Sequence, residues 1–165
     1  MRYTYVNSPL GPMLLTGSDA LCGCYFVGQR YQPEIAADWR EDGTLPVFRQ
    51  AAEQLASYFA GEARQFDLPL DLSAGTAFQQ RVWRAIASIA PGAAISYRQL
   101  ADTVEAPRAI RAAGSATGRN PLSVIIPCHR IVGSDGSLTG YAGGLGRKTA
   151  LLTLEGYLPR HARGE

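Results

Sequence analysis

The sequence is poor in several residue types, and each shortage excludes a class of protein. Among 165 residues there are three cysteines and two histidines, and charged residues make up only 18%. A small, odd number of cysteines does not build a disulfide framework and favours a reducing compartment. No apolar run approaches the roughly 18 residues that span a bilayer, and the N-terminus lacks the apolar segment of a signal peptide. We therefore expect a cytoplasmic protein without a membrane segment.

Lysine is the scarcest charged residue, and the charges are divided unevenly along the chain. Lys148 is the only lysine beside fifteen arginines. Residues 1–75 carry five basic and nine acidic residues, a net −4, whereas residues 76–165 carry eleven basic and five acidic residues, a net +6. These values sum to the net charge of +2. A basic half is typical of a surface that faces a polyanion, and ordinary variation in surface charge is the alternative.

Hydrophobic residues make up 46% of the chain, which is enough for a packed core, and their spacing suggests two parts. Residues 2–27 predict short strands separated by turns, and residues 46–61 predict a helix with Phe48, Leu55 and Phe59 on one face. A linker-like stretch follows. We place a domain boundary near Ser73, which gives an N-terminal domain of residues 1–73 and a C-terminal domain of residues 74–165.

The second part predicts a series of helices. Thr76 is suited to cap one helix, and Ser96 with a glutamine three residues later forms a capping box for another. Pro107 suits the first position of a third helix, over residues 107–118. Two short helices joined by a tight turn resemble a helix-turn-helix, although many helical hairpins bind nothing.

The third of these helices has a nearly flat surface. Alanine, glycine and serine dominate it, and its only long polar side chains are Arg108, Arg111 and Arg119. Such a surface can approach another backbone closely, either a packed helix or a nucleic acid. Because guanidinium groups suit phosphate and stack on bases, the arginines favour a phosphate-rich partner.

The β-branched run at residues 123–126 predicts a buried strand that ends at Pro127, directly before Cys128 and His129. One interpretation of Cys128 is a buried structural thiol, since free cysteine is among the most buried residue types. A second is a zinc ligand together with Cys22 and Cys24. The Cys-x-Cys spacing is tighter than usual for zinc and adjacent Cys-His pairs rarely ligate together, and the remaining histidine, His161, lies near the C-terminus.

A third interpretation is a nucleophile. The neighbouring His129 and Arg130 supply potential positive charge, and cationic neighbours favour the reactive thiolate. A thiolate needs a base and the base needs an orienting group, for which His129 and Glu155 are the candidates. A cysteine hydrolase would use a similar trio but normally takes its partners from distant parts of the sequence.

The stretch IPCHRIVGSDGSLTGYAGGLGRKTALLTLEG closely resembles the active-site region of the methylated-DNA–protein-cysteine S-methyltransferases, the O6-alkylguanine-DNA alkyltransferases. The segments FQQRVWRAI, ISYRQLA and RAAGSATGRNP match the same family in order and spacing, as do SPLGPMLL and YFAGE. The resemblance covers nearly the whole chain. It implies an α/β (α+β) fold, in which a small N-terminal sheet-plus-helix domain precedes a C-terminal winged helix-turn-helix-like DNA-binding domain.

The resemblance also implies roles for individual residues. Cys128 would accept the alkyl group, His129 would take its proton through a water, Glu155 would orient His129, and Asn120 would tie a turn to the active-site strand. The implied substrate-binding residues are Tyr97, Tyr141, Ile131 and Gly143. The implied DNA-binding residues are Arg111, which would fill the gap left by the extruded base, with Tyr97, Arg98, Ala112, Gly114 and Ser134. No metal ligands are implied.

The function implied is direct-reversal DNA repair without a cofactor. Because the lesion lies inside the duplex, the base must leave the stack before a protein nucleophile can reach it. The alkyl group would pass irreversibly from O6-alkylguanine, and from O4-methylthymine, to Cys128, once per molecule. The partner would be alkylated double-stranded DNA bound from the minor groove, by a monomer that can cluster along DNA. The alternative is a non-catalytic module that only binds alkylated DNA.

Overall fold

The computed structural model describes residues 1–63 and 65–157, and its N-terminal half is a four-stranded sheet with one helix. The strand order is β3-β2-β1-β4, with β4 parallel to β1 and the other pairs antiparallel. The elements are β1 (Arg2–Val6), β2 (Met13–Gly17), β3 (Leu21–Phe26), β4 (Arg40–Glu41) and α1 (Pro46–Phe59). The expected early strands are thus confirmed. The two-residue β4 lies in the chain between β3 and α1, outside the stretch in which strands were expected.

Helix α1 buries a slightly different face from the expected one. Phe48 and Leu55 are buried as predicted, whereas Phe59 is only half-buried and Tyr58 is buried in its place. The side chains of α1 join the same apolar core as those of β2 and β3. This rotation points Tyr58 toward the C-terminal half of the chain, where its hydroxyl finds a partner in Glu155.

The C-terminal half is mainly helical. It contains α2 (Ala77–Ala87), β5 (Ile95–Ser96), α3 (Tyr97–Thr103), α4 (Ile110–Gly118), β6 (Ile131–Val132) and α5 (Leu145–Leu154). The predicted cap at Thr76 and the predicted capping box at Ser96 are confirmed, and Thr76 also forms a capping box, because each residue exchanges hydrogen bonds with the glutamine three residues later. Helices α2, α3 and α4 pack on one another, so the expected helical hairpin is present.

The predicted start of the third of these helices at Pro107 is wrong. Helix α4 begins at Ile110, because the chain first makes a turn in which the Ala109 N–H donates to the Ala106 carbonyl. Glu105 precedes this turn with φ +60°, a left-handed conformation that interrupts the helical path. The proline therefore shapes the turn between α3 and α4.

The strand predicted over residues 123–126 is also wrong. These residues are buried but form turns, and Val124 has φ +72°, which no strand permits. The Ile126 N–H donates to the Leu122 carbonyl at 2.8 Å and so closes the chain on itself. The short strand of this region is β6, which follows Cys128 and pairs in parallel with β5. The β-branched run therefore correctly indicated burial, but it did not determine the backbone conformation of these residues.

The edge of β3 joins the two halves of the molecule. Leu21 exchanges two backbone hydrogen bonds with residues 69–71, and Cys24 exchanges two with residues 121–123. Apolar side chains of both halves belong to one core cluster. The segment that carries Asn120 and leads to Cys128 is thus anchored on the N-terminal sheet. Within the described residues, no helix has the length and apolar character to cross a membrane.

Candidate active site

Cys128 opens a single turn of 3₁₀ helix, Cys128–Arg130, and lies at the base of a cavity of about 300 Å³. Only 5% of the residue is exposed. The cavity is bounded by Tyr97, by residues of α4 between 114 and 118, by residues 30–31, and by residues 140–142 of the glycine-rich loop, which spans residues 139–144. The thiol is therefore withdrawn from solvent yet accessible to a ligand that fills this cavity.

His129 is fully buried behind the thiol, and Glu155 fixes its orientation. The His129 Nε2 lies 2.8 Å from the Glu155 Oε2. Burial lowers the pKa of His129, although Glu155 opposes this shift, so the ring is neutral at neutral pH. A neutral ring that donates from Nε2 keeps a free electron pair on Nδ1, and Nδ1 has no hydrogen-bond partner within the described structure. The ring is thus held in the tautomer that can accept a proton at Nδ1.

Glu155, at the C-terminal end of α5, collects donors from three side chains. Arg130 binds it through two nitrogens, Nε to Oε1 and Nη2 to Oε2, both at 2.8 Å, and the Tyr58 hydroxyl donates to Oε2 at 2.5 Å. Burial alone would raise the pKa of the Glu155 carboxyl, but the hydrogen bonds from Arg130, His129 and Tyr58 together lower it to about 2. Glu155 is therefore ionised throughout the physiological range.

The cationic neighbours do not act on the thiol as the sequence suggested. Arg130 forms an ion pair with Glu155, and His129 is neutral. Burial raises the pKa of Cys128 above its ordinary value, and the nearby Asn120 amide and the charge of Lys148 offset part of that increase. The resting residue is consequently a protonated thiol, and its reactivity requires a base.

Lys148 is a member of this site that the sequence reasoning missed. It is fully buried on α5, and its ammonium donates to the carbonyls of Ile131, Thr139 and Gly140 at 2.5, 3.4 and 3.3 Å. Burial lowers the pKa of Lys148 to about 8, while the thiolate form of Cys128 favours the charged form of Lys148. Lys148 therefore fastens the glycine-rich loop to β6 and places a positive charge near the sulfur.

Asn120 organises the turn that leads to Cys128. Its Nδ2 donates to the Ile126 carbonyl at 2.7 Å, and its Oδ1 accepts the Leu122 N–H at 2.9 Å. The residue is buried, so these bonds satisfy groups that have no access to water. Asn120 does tie a turn to the active-site segment, but that segment is the buried turn before Cys128 and no strand.

The residues predicted to bind the substrate do not all lie in the cavity. Tyr97 and Tyr141 line it, and the Tyr141 ring meets the His129 ring edge-on at 6.4 Å. Gly143 lies just outside, where an added Cβ would come within 2.7 Å of the Tyr141 ring. Ile131 has its side chain in the core and its carbonyl on Lys148. Ile131 and Gly143 therefore shape the site from behind its walls.

Most of the predicted DNA-binding residues lie on the protein surface, and two of them, Tyr97 and Gly114, line the cavity. Arg98, Arg111, Ala112 and Ser134 are exposed, and Gly114 lines the cavity beside the Tyr97 ring. Within the described chain, no side chain forms an ion pair or hydrogen bond with Arg111. Ser134 lies in the turn after β6, away from the cavity lining. Helix α4 thus presents a flat face and an unengaged guanidinium beside the opening.

The three thiols lie in different surroundings. Cys24 is buried in β3, Cys22 is half-buried beside Thr16, and Cys128 lines the cavity. Across residues 1–63 and 65–157, no group of three or more His, Cys, Asp or Glu side chains is placed to hold a metal ion. His161, the other histidine weighed as a ligand, lies outside the described residues.

Comparison with known proteins places these features in a family. The 6-O-methylguanine DNA methyltransferase DNA binding domain matches residues 77–157, and the ribonuclease-like domain of the same proteins matches residues 1–72. The methylated-DNA–protein-cysteine methyltransferases of Mycobacterium tuberculosis H37Rv and Methanosarcina barkeri are 46% and 47% identical to this chain over 156 residues. These matches cover 94% of this chain and 92% and 97% of the two relatives. The chain belongs to the 6-O-methylguanine DNA methyltransferase family.

The fold agrees with that membership. A crystal structure of Mycobacterium tuberculosis OGT in complex with DNA matches with a TM-score of 0.85 and 45% identity, covering 94% of this chain and 92% of that one. A second, of the same organism's O6-methylguanine methyltransferase, matches with a TM-score of 0.83. The expected mixed α/β fold, with a small N-terminal sheet and a helical DNA-binding domain, is confirmed for this family member.

Two residues of this methyltransferase site escaped the sequence reasoning besides Lys148. Tyr58 was assigned to the helix end YFAGE without a chemical role, and Arg130 was treated as a cation beside the thiol. Both contact Glu155, which is 97 and 25 positions away from them in the sequence. Lys148 is the only lysine in the chain, but that scarcity does not indicate where its side chain lies.

Proposed function

We propose that this chain is a methylated-DNA–protein-cysteine methyltransferase that repairs O6-alkylguanine in double-stranded DNA by moving the alkyl group to Cys128. One observation carries the assignment of the acceptor. The Cys128 thiol faces a cavity of about 300 Å³, and behind it lies a neutral histidine oriented by a buried carboxylate. Pockets for small ligands run from about 300 to 1,000 Å³, so this cavity suits a single base.

The transfer begins with the proton of the thiol. Because burial keeps Cys128 protonated, the Nδ1 of His129 accepts that proton, through a water, and becomes part of an imidazolium that Glu155 stabilises. The positive charge of Lys148 favours the thiolate that results. The carboxylate of Glu155 stays ionised because Arg130 and Tyr58 also donate to it.

The thiolate then displaces the guanine at saturated carbon. A sulfur–carbon bond forms while the bond between that carbon and O6 breaks, and the electron pair leaves with the base. The base takes up one proton, which balances the one lost by Cys128, and the Tyr97 hydroxyl at the cavity wall assists by hydrogen bonding. The product is a thioether without a reasonable leaving group, so each molecule reacts once. O4-methylthymine offers the same kind of reacting centre.

The lesion reaches the cavity by extrusion from the duplex. Leaving the stack costs a few kcal/mol, and an inserted side chain offsets part of that cost. Arg111 is exposed on α4, and its neighbours Ala112 and Gly114 are small enough for the helix to approach closely. We assign Arg111 to the gap left by the base, with α4 in the minor groove, and Arg98 and Ser134 to flanking phosphates.

The remaining expectations are part of the same proposal. The protein acts as a monomer in the cytoplasm, needs no cofactor, and can cluster along DNA. The division into domains at residues 73 and 74 also stays a prediction. A module that only binds alkylated DNA would leave the arrangement of Cys128, His129 and Glu155 without a purpose, so transfer is the better-supported function.

The decisive experiment is incubation with a duplex that carries one O6-methylguanine, followed by mass analysis of the peptides. We expect one methyl group on the peptide that contains Cys128 and unmodified guanine in the DNA, in a one-to-one ratio. Methylation of another residue would overturn the assignment of the acceptor. Binding of the duplex with no change in protein mass would instead support the module that only binds.

A further inference from the structure

A second cationic feature lies beside the cavity, and it joins two residues of the N-terminal half of the chain to one residue at the end of α4. The guanidinium of Arg119, at the end of α4, lies 4.0 Å from the centre of the Tyr31 ring, and that of Arg30 lies 4.8 Å from the same centre. We call these three residues the Tyr31 clamp. Arg30 and Tyr31 line the same cavity as Cys128.

The two charges of the clamp are not neutralised within the protein. Across residues 1–63 and 65–157, neither guanidinium forms an ion pair or a hydrogen bond with a side chain. Stacking on an aromatic ring leaves the N–H groups of arginine free to donate in the ring plane. The dipole of α4 would account for a cation at the position of Arg119, but it does not account for Arg30, which comes from another part of the chain.

The clamp is held in place and is therefore different from ordinary solvated arginines. The backbone N–H of Arg30 donates to the carbonyl of Ala142 in the glycine-rich loop at 3.0 Å. The preceding Gln29 is buried, and its Oε1 accepts from the Phe26 N–H at 2.8 Å and from the Ser123 hydroxyl at 3.0 Å. A loop fixed in this way loses little entropy when its side chains bind a ligand.

We propose that the Tyr31 clamp binds a phosphodiester of the strand whose nucleotide is extruded into the cavity, which makes the N-terminal half part of the DNA-binding surface. The inference rests on the proposed repair function. Both guanidinium groups lie within 4.8 Å of one ring centre, and each can donate to phosphate oxygens in a planar fork. Arg30 and Tyr31 line the cavity, and Arg119 reaches Tyr31 from the end of α4 opposite to Arg111, which corresponds to the backbone on one side of an extruded base.

The test compares variants that remove one charge each and keep a polar side chain of similar length. Arg30→Gln, Arg119→Gln and the double variant are measured beside Arg49→Gln, a control on α1, where the arginine is exposed and distant from the cavity lining. We expect each clamp variant to lower the rate of transfer from duplex DNA about tenfold. The salt slope of binding to undamaged duplex should fall by about 1 for each arginine removed, and Arg49→Gln should change neither.

Two further measurements assign the effect to phosphate. Transfer from the free O6-methylguanine base should be unchanged, because that substrate has no phosphate. Replacing the phosphodiesters near the lesion one at a time with neutral methylphosphonate should identify a position that slows the wild-type protein but not the double variant. The proposal would be wrong if the clamp variants lost as much transfer rate on the free base as on duplex DNA, or if their salt slope of binding were unchanged. It would also be wrong if no methylphosphonate position slowed the wild-type protein alone.

The outcome is separable from that of the repair function itself. If the wild-type protein does not methylate Cys128, the proposed function fails, whereas the salt slope on undamaged duplex still reports on the clamp. Replacing Tyr31 adds a check on geometry. Tyr31→Phe keeps the ring and should behave as wild type, and Tyr31→Leu should lose about as much as one arginine; loss in both variants equally would contradict stacking as the organising contact.

Discussion

The surroundings of Cys24 and Cys128 differ more than the two residues do. Both are buried, and burial raises the pKa of both thiols. Cys24 lies in the middle of β3. Its backbone N–H and carbonyl both form hydrogen bonds with residues 121–123, and its side chain lies in the core. Cys128 opens onto a cavity and has His129, Asn120 and Lys148 nearby. Burial alone therefore does not distinguish a structural thiol from a reactive one, whereas a cavity on one side and a base on the other do.

The largest effect should come from removing the acceptor. Cys128→Ser should abolish methyl transfer, because a hydroxyl is a far weaker nucleophile than a thiolate at this position, while affinity for duplex DNA persists. The measurement is peptide mass after incubation with the O6-methylguanine duplex. Cys22→Ser is the matched control, since that thiol is more exposed but lies outside the cavity. Methylation of Cys24 in the Cys128→Ser variant would contradict the distinction between a structural thiol at Cys24 and a reactive thiol at Cys128.

The next largest effect should come from Glu155→Gln. Loss of the group that orients His129 should slow transfer by about 10²-fold, the lower end of what a positioned base contributes. Because Arg130 would then keep a buried charge without its partner, the free energy of unfolding should fall by about 3–5 kcal/mol. Single-turnover rates and thermal melts measure the two effects. Stability lost without any change in rate would make Glu155 purely structural.

The stability difference between wild type and Glu155→Gln should depend on pH in a defined direction. The pKa of Glu155 is about 2 in the folded protein and ordinarily 4.5, so its ionised form stabilises the fold fully above pH 4.5. That contribution is lost as pH falls from 4.5 toward 2. Denaturation curves across this window should converge, and a difference that stayed constant would contradict the carboxylate's shifted pKa.

A smaller effect should come from the charge of Lys148. Lys148→Gln keeps hydrogen-bond donors for the carbonyls of the glycine-rich loop but removes the cation that favours the Cys128 thiolate. We expect transfer at neutral pH to slow roughly tenfold, because the thiolate then lacks a nearby positive charge that lowers the pKa of the thiol. Lys148→Met, which loses the donors as well, should be slower still. A glutamine variant as fast as wild type would assign Lys148 to packing alone.

The smallest effect on transfer should come from Cys24→Ala. This change removes a fully buried sulfur from the core and should lower the free energy of unfolding by about 1 kcal/mol. The transfer rate should match the wild type, because Cys24 does not line the cavity. Urea denaturation and a single-turnover assay test both statements. A slower transfer would mean that the contact between β3 and residues 121–123 affects the reactivity of Cys128.

The sequence predicted much of the fold because its patterns are local. The cap at Thr76, the capping box at Ser96 and the early strands depend on residues a few positions apart, and they are confirmed. The run at residues 123–126 misled because β-branched residues report burial, and a side-chain amide from Asn120 imposed turns on them. Propensity yielded to a tertiary contact at that point.

The site was predictable only in part for the same reason. Cys128 and His129 are adjacent, so their chemistry could be read together, and the family resemblance added Glu155. Tyr58 and Lys148 reach the site through side-chain directions that depend on how α1 and α5 pack. The prediction that neighbouring cations favour the Cys128 thiolate was wrong for Arg130, because the sequence does not reveal that Arg130 forms an ion pair with Glu155.

The anchoring of residues 121–123 on β3 has a consequence for the newborn chain. Strand β3 is synthesised early, but the partners of Cys24 appear almost 100 residues later. At about 5–20 residues per second, the ribosome leaves this edge unpaired for about 5–20 s. An open edge is a template for pairing with other chains, so the emerging N-terminal half is exposed to such pairing until Leu122 is synthesised. The acceptor site and the last step of sheet assembly are then completed together.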